Sequence, residues 1–273
     1  MIGTNLAITT KNYAVAGGVT YDADALAYFT ANTSITSDAD KNAINTFYLG
    51  LKTDGVYSKI NAMYLPLWSS ATANKWNLIT PTDTNGAYRL TFSVGWTHAS
   101  TGMTPNGTSA YADSFLSTSV LGLNTGHLSY YSGTNSTITG IEMGALKNSP
   151  NSYTELSCRY STSGAAVRYN NAGVPTYIAN TDSRGFYVGL RTASNVLKLF
   201  KNGSSIQSLT TASSATTTNT IYLGAINNLL VAGIFSNREC RFSSIGAGLT
   251  DAEATNLSSR VNTLMTYFGI NNY

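Results

Sequence analysis

The sequence predicts a mainly β protein, an antiparallel jelly-roll sandwich of two sheets, with a helical segment before it and a helix after it. Three observations predict this fold. Apolar and polar residues alternate along the strands after residue 85, turn residues bound each strand, and the helical period is confined to the two ends. With 273 residues, 42% of them hydrophobic, the chain has enough apolar material for one large core.

The chain begins with a segment whose apolar residues recur with the helical period. Asp22 or Asp24 is expected to start a short helix and Ser37 a second one, because both residue types cap helix N-termini. A further helical stretch is predicted over residues 56–64. This segment and the linker after it make up residues 1–85. We expect the segment to pack on the sandwich as a helical cap, with attachment or oligomerisation as its role if the protein is displayed on a particle.

The jelly-roll domain is predicted to cover residues 86–273. Asn202-Gly203 lies between two of its strands and predicts a hairpin, since type I′ turns need positive φ at both central positions. Thr250 and Glu253 form a capping box that begins the closing helix. The predicted strands are residues 88–94, 127–131, 140–146, 153–160, 186–192, 196–200, 205–210, 220–225 and 240–245.

The composition excludes several classes of partner. Charged residues make up only 11% of the chain, the net charge is +3, and the Lys and Arg residues are scattered, so nucleic acid is not expected to bind. The first 20 residues lack a basic start followed by an apolar core, which argues against a signal peptide. No apolar run is long enough to span a bilayer, so membrane insertion is not expected.

The two cysteines, Cys158 and Cys240, lie far apart and lack the spacing of metal ligands. Each shares the apolar-facing parity of its predicted strand, which indicates a small core residue. A disulfide between them is the alternative. A reducing compartment during assembly would disfavour that bridge.

The order of features in the second half of the chain resembles laminin-G-like, or concanavalin-like, jelly rolls. The resemblance rests on KNG at 201–203, IYLGA at 221–225, FSSIG at 242–246 and LTDAE at 249–253. Residues 88–113, with GWTH and PNGT within them, are similar to a version of this module that is common in bacteriophage structural proteins, where a helical piece precedes it.

This resemblance implies a bacteriophage virion surface component, a fibre or a capsid or tail decoration, that displays a lectin-like jelly roll. Its partners would be other virion proteins and cell-surface glycans, and we expect a homo-oligomer made in the bacterial cytoplasm without a signal peptide and located on the virion. A purely structural decoration module without a ligand is the alternative. A glycan hydrolase is the third hypothesis.

The hydrolase hypothesis needs two carboxylates across a cleft. The Glu-x-Asp-x-Glu motif of glucanases with this fold is absent, and Glu142 and Glu155 on consecutive predicted strands are the remaining pair. We interpret both as solvent-facing sheet residues. His98 and His127 have no nucleophile in a suitable context, and His127 is predicted at a strand edge or surface. The sequence therefore predicts that the chain is not an enzyme.

Binding sites for sugars combine an aromatic ring with polar groups for the hydroxyls. The candidate carbohydrate-binding residues are Trp96, His98, Asn106, Tyr111, Asn180 and Arg184. Packing of Trp96 and Tyr111 in the core is the alternative for those two rings. Laminin-G-like modules frequently hold calcium on such loops, so the resemblance implies Asp113 or Asp182 as a ligand, although acidic residues are too sparse to argue a closed oxygen cage.

Overall fold

The computed structural model describes residues 15–16, 19–161 and 164–273. Within these ranges the chain forms two eight-stranded sheets, a two-stranded ribbon and five α-helices. The helices are α1 (Ala23–Ala31), α2 (Asp38–Thr53), α3 (Ala71–Asn74), α4 (Thr118–Leu121) and α5 (Asp251–Tyr267). The strands are β1 (Val15–Ala16), β2 (Val19–Thr20), β3 (Ile60–Tyr64), β4 (Thr91–Phe92), β5 (Trp96–Ala99), β6 (Gly102–Pro105), β7 (Ala112–Ser117), β8 (Gly126–Ser132), β9 (Met143–Asn148), β10 (Asn151–Tyr160), β11 (Gly164–Asn171), β12 (Gly185–Ala193), β13 (Val196–Lys201), β14 (Ser204–Leu209), β15 (Thr220–Leu223), β16 (Ile226–Asn228), β17 (Val231–Gly233) and β18 (Cys240–Gly246).

The two large sheets face each other. The central sheet has the order β14-β13-β12-β8-β18-β6-β5, and β3 also pairs with β18. The outer sheet has the order β11-β10-β9-β15-β7-β4, with β16 on β9 and β17 on β16. Strand pairs in the described part of the chain are antiparallel apart from β16 with β9. The predicted two-sheet sandwich with a C-terminal helix is confirmed.

Three layers result from this arrangement. Tyr130 and Tyr187 of the central sheet pack with Leu156 of the outer sheet in the core between the sheets. The opposite face of the central sheet packs against helices α1, α2 and α5, and there Phe242 meets Phe47 of α2 with ring centroids 5.7 Å apart. Because the central sheet is covered on both faces, the free face of the sandwich belongs to the outer sheet.

Local capping chemistry starts the helices where the sequence predicts. Asp22 caps α1 and Ser37 caps α2, where its hydroxyl accepts a hydrogen bond from the Asp40 amide at 3.3 Å. The capping box of Thr250 and Glu253 begins α5. These helix starts are confirmed. Among the described residues, none of the helices combines the length and apolar character that a membrane crossing needs.

The helix predicted over residues 56–64 is wrong. A 3₁₀ turn covers Tyr57–Lys59, and Ile60–Tyr64 is strand β3, which pairs antiparallel with β18. Met63 faces the helices while its neighbours face the inter-sheet core, and a short apolar run buried on both sides does not reveal its type by periodicity. The segment thus contributes a strand to the central sheet, and the domain boundary at residue 85 stays a prediction.

The strand predicted over residues 88–94 is reduced to β4, two residues long, because Tyr88 takes a left-handed conformation (φ 58°) that ends a 3₁₀ turn. Strand β11 was not predicted. All eight of its residues are buried, so it lacks the alternation of apolar and polar residues that marks a strand with one solvent-exposed face. The hairpin at Asn202-Gly203 is confirmed, with φ of 51° and 78° at its two turn residues.

Candidate functional site

The free face of the outer sheet holds a cavity of about 180 Å³. Its floor comes from strands β9, β10 and β11, one wall from the β16–β17 hairpin and the other from the loop after β11. Three tyrosines, one ion pair and an apolar cluster line it. The cavity therefore combines aromatic rings with charged groups in one concave site.

Strand register places the ion pair on the cavity floor. Glu155 of β10 lies opposite Gly144 of β9 on one side and opposite Arg168 of β11 on the other. Arg168 Nε donates to Glu155 Oε1 at 2.9 Å, and its Nη2 lies 2.9 Å from Oε2. The side chains are only 5% exposed for Glu155 and 10% for Arg168. Two opposite charges thus sit together at the base of the cavity.

Further contacts hold Arg168 in place. Its Nη1 donates to the Gly173 carbonyl at 2.9 Å, and its guanidinium carbon lies 3.6 Å from the ring centroid of Tyr153. A cation over an aromatic face is attracted by the ring's negative π surface. The arginine is therefore fixed by a carboxylate, a carbonyl and a ring.

Tyr160 and Tyr177 form a stacked pair with ring centroids 5.4 Å apart and 28° between their planes. Burial, with the charge of Glu155 and the neighbouring phenol as lesser causes, raises the pKa of Tyr177 to about 12. Its hydroxyl consequently stays protonated at neutral pH and keeps a hydrogen to donate.

A β-bulge brings the strand's two tyrosines to the same cavity. Tyr153 and Tyr160 are seven residues apart, and in an uninterrupted strand an odd spacing puts side chains on opposite faces. The register of β10 with β11 shifts between Ser157 and Tyr160, and both tyrosines pack on one apolar cluster. That cluster consists of Ile141, Leu146 and Ile226.

The β16–β17 hairpin carries an unusual turn. Leu229 and Leu230, its two central residues, have φ of 53° and 72°, and they are 52% and 75% exposed. Positive φ at both positions favours Asn and Gly, and leucine is strained there. The turn thus holds two exposed, strained apolar residues in a hairpin whose first strand lines the cavity through Ile226.

Changing Leu229→Asn together with Leu230→Gly should raise the free energy of unfolding by about 1–2 kcal/mol, because both new residues adopt positive φ at lower cost. Chemical denaturation measures the change. The control is Leu229→Ala, which removes the apolar side chain, keeps the strain and should leave stability within about 0.5 kcal/mol. A loss of stability in the Asn-Gly variant would show that the leucines support the fold.

Trp96, His98 and Asn106, three of the predicted sugar-binding residues, contact other residues of the chain. Trp96 on β5 packs against Phe92 at 5.7 Å and stacks on His98 at 6.5 Å. Nδ1 of His98 lies 2.9 Å from the Asn74 amide nitrogen, and burial lowers the pKa of His98. The Asn106 side-chain oxygen accepts hydrogen bonds from three backbone amides of its own loop. The role of these residues in binding stays a prediction.

Tyr111 and Asp113 lie on the loop before β7 and on β7 itself. Tyr111 stacks on Tyr222 with centroids 4.5 Å apart. Asp113 accepts a hydrogen bond from the Phe115 amide at 2.8 Å, and burial raises the pKa of Asp113. The described residues contain no group of three or more His, Cys, Asp or Glu side chains placed to hold a metal ion.

Asn180, Asp182 and Arg184, the predicted residues in the loop before β12, bond to other residues of the chain. Asn180 donates to the Cys158 carbonyl at 2.6 Å and to the Tyr187 hydroxyl at 2.7 Å. Asp182 forms an ion pair with Arg184 at 2.6 Å, and these hydrogen bonds from Arg184 lower the pKa of Asp182. Calcium at Asp182 or Asp113 and sugar at Asn180 or Arg184 remain predictions.

The interpretation of Glu142 and Glu155 as solvent-facing is wrong. Glu155 is on the cavity floor, and Glu142 is fully buried with Arg238, to which it is hydrogen-bonded. Glu142 also accepts from the Ser236 hydroxyl at 2.9 Å and from the Cys158 amide. Each carboxylate is covered by an arginine from another part of the chain, so the strand pattern alone could not show its burial.

His127 is not an edge or surface residue. It is the second residue of β8, which lies between β12 and β18, and its side chain is fully buried. Nδ1 lies 2.6 Å from the Ala247 carbonyl and Nε2 3.0 Å from the Ser244 hydroxyl. Cys158 and Cys240 are buried free thiols in the core between the sheets, as predicted.

No family model matches the chain, and no curated protein matches it. Part of a Trypanosoma rangeli sialidase mutant with trans-sialidase activity is similar at 11% identity and a TM-score of 0.50, over 84% of this chain and 39% of the sialidase. At this identity the likeness shows the fold.

Two further solved structures are similar at lower TM-scores. Domain 4 of AbnA, a GH43 extracellular arabinanase from Geobacillus stearothermophilus in complex with arabinotriose, has 15% identity and a TM-score of 0.44, over 73% of this chain and 98% of that domain. The CBM40 of a Ruminococcus gnavus sialidase, bound to α2,3-sialyllactose, has 16% identity and a TM-score of 0.37, over 52% of this chain and 86% of that module.

One of these structures corrects two predictions from the sequence. The Trypanosoma rangeli structure is that of a sialidase and not of a bacteriophage protein, so the assignment to a virion surface component is wrong. The exclusion of an enzyme is wrong for the same reason. Strand spacing and turn chemistry predict a sandwich, and a sandwich is used by proteins of many functions. The resemblance to laminin-G-like modules stays a prediction.

Proposed function

We propose that this chain is a carbohydrate-binding β-sandwich domain whose site is the cavity on the outer sheet. One observation carries the proposal: three tyrosines, Tyr153, Tyr160 and Tyr177, meet the ion pair of Glu155 and Arg168 on an open sheet face. Aromatic rings pack on the apolar faces of sugars, and charged or hydroxyl groups bind sugar hydroxyls. Both kinds of group converge on the same small volume.

The size of the cavity suits the end of a glycan. Its volume of about 180 Å³ is below the ~300–1,000 Å³ of pockets that take drug-sized ligands. One or two sugar rings would enter, and the rest of the glycan would lie over the surrounding surface. That surface includes exposed Val174 on one side and the Leu229-Leu230 turn on the other.

A second concave surface fits the proposal less well. A groove of about 220 Å³ lies between α2 and α5, lined mainly by apolar atoms of side chains such as Phe47 and Leu264. Its one charged residue, Arg260, forms an ion pair with Asp54 at 2.8 Å. Two aromatic residues line this groove, but Phe47 is buried against Phe242 and the Tyr267 hydroxyl already donates to Asp40.

The Tyr177→Ala change tests the proposal. We expect the unaltered protein to bind members of a broad glycan array, and the variant to bind the same glycans at least tenfold more weakly. Loss of an aromatic contact worth about 1.5 kcal/mol corresponds to that factor. Titration calorimetry with an array hit measures the change.

Tyr111→Ala is the matched control, because it removes a stacked tyrosine at the site that the sequence predicted. It should leave binding unchanged if the cavity is the site. Loss of binding in Tyr111→Ala alone would move the site to that cluster. A folded protein, checked by its thermal transition, that binds no glycan would contradict the proposed function.

A further inference from the structure

The charged groups on the cavity floor cancel each other. Glu155 and Arg168 are the charged residues that line the cavity, and they pair at 2.9 Å. Arg168 is the residue that a ligand carboxylate would seek, since a guanidinium binds carboxylates through two parallel N–H groups. That fork already faces Glu155, and Nη1 donates to Gly173. Arg168 is therefore not free to bind an acidic sugar in this way.

Glu155, in contrast to Arg168, can form further hydrogen bonds, as an acceptor. Its Oε1 accepts from Arg168, but its buried Oε2, although 2.9 Å from Nη2, accepts no well-aligned hydrogen bond. A carboxylate has about four acceptor positions, so Glu155 could accept a hydrogen bond from a ligand hydroxyl in the cavity as well as from Arg168. A ligand carboxylate brings no hydrogen at neutral pH and would meet a like charge.

The pKa of Tyr177 also indicates that the cavity favours a hydrogen-bond donor over a negatively charged group. The negative charge of Glu155 contributes to the raised pKa of Tyr177, which indicates a negative potential where the ligand ring would lie. The guanidinium of Arg168 lies against the Tyr153 ring, whose negative π surface offsets part of its positive charge.

We infer that the cavity selects neutral sugars, whose hydroxyls donate to Glu155, and discriminates against sugars that carry a carboxylate. This inference rests on the proposed function and names the class of glycan for the same site. Glu155 is the specificity-determining residue. Uronic and sialic acids are the sugars that it disfavours.

Matched sugar pairs test the inference on the full chain. Glucose and glucuronate, or galactose and galacturonate, presented at the ends of otherwise identical oligosaccharides, differ at one carbon. We expect the neutral member to bind at least tenfold more tightly by titration calorimetry. Tighter binding of the acidic member that Tyr177→Ala abolishes would overturn the inference and leave the proposed function intact. Binding of neither member, nor of any array glycan, would overturn both.

The Glu155→Gln change assigns the discrimination to one residue. It keeps the shape of the side chain, removes its charge and frees Arg168 for a ligand carboxylate. The preference for the neutral sugar should fall at least tenfold or reverse. An undiminished preference in a variant with an unchanged thermal transition would overturn the role of Glu155. If that variant fails to fold, the methyl ester of the uronate tests the same point on the unaltered chain, because it removes the ligand's charge, and it should bind as tightly as the neutral sugar. An ester that binds as weakly as the acid would overturn the role of Glu155.

Discussion

The Arg238→Met variant should lose about 3–5 kcal/mol of unfolding free energy, because it leaves the carboxylate of Glu142 buried without its countercharge. Both side chains are 0% exposed. Arg238 also donates to the carbonyls of Ser136 and Arg159, so the change removes several hydrogen bonds at once. Guanidinium chloride unfolding at pH 7 measures the loss.

Two controls separate burial from charge pairing. Arg184→Met breaks the exposed ion pair with Asp182 and should cost at most about 1 kcal/mol. The double variant Arg238→Met, Glu142→Leu removes both charges and should recover part of the loss, since an apolar replacement of a whole pair is better tolerated than half of it. Equal losses in Arg238→Met and Arg184→Met would contradict the argument.

Stability should also fall as the pH is lowered through the titration of His127. Burial lowers the pKa of His127 to about 4 from its ordinary value of 6.5. The unfolded chain takes up a proton near pH 6.5 and the folded chain only near pH 4, so protonation favours unfolding between these values. The full stability is present above pH 6.5. About 3 kcal/mol of it should be lost by pH 4. Urea unfolding at pH 7.5, 5.5 and 4.5 measures this slope.

The His127→Gln variant should flatten the slope, whatever its overall stability. His98→Gln is the matched control, because burial also lowers the pKa of His98 but only part of that ring is covered. Ion-paired carboxylates such as Asp54 and Asp182 have lowered pKa values, so their loss comes at lower pH. An unchanged slope in His127→Gln would assign the effect to other groups.

The features that local chemistry determines could be predicted from the sequence. The caps at Ser37 and Thr250 and the Asn202-Gly203 turn depend on a few neighbouring residues. Strands β3 and β11 could not be predicted, because both of their faces are buried and their patterns carry no period. Their type is set by partners in other parts of the fold.

The candidate site was largely missed for a related reason. Glu155 was considered as a carboxylate and not as a partner of Arg168, since the pairing of β10 with β11 was not known. Parity placed Tyr160 with the core residues Leu156 and Cys158, and the β-bulge reverses that placement. Four tyrosines between residues 153 and 177, with one Glu and two Arg among them, were the available signal.

The pairing of β3 with β18 has a consequence for synthesis on the ribosome. β3 and the apolar sides of α1 and α2 emerge before most strands of the sandwich, and their partners β18 and α5 emerge after those strands. Contacts between such distant parts of a chain raise the contact order and slow folding. The early segment therefore stays exposed while the intervening strands are made, which leaves it open to chaperones or to aggregation until the last helix arrives. This fold can therefore be completed only once β18 and α5 have left the ribosome.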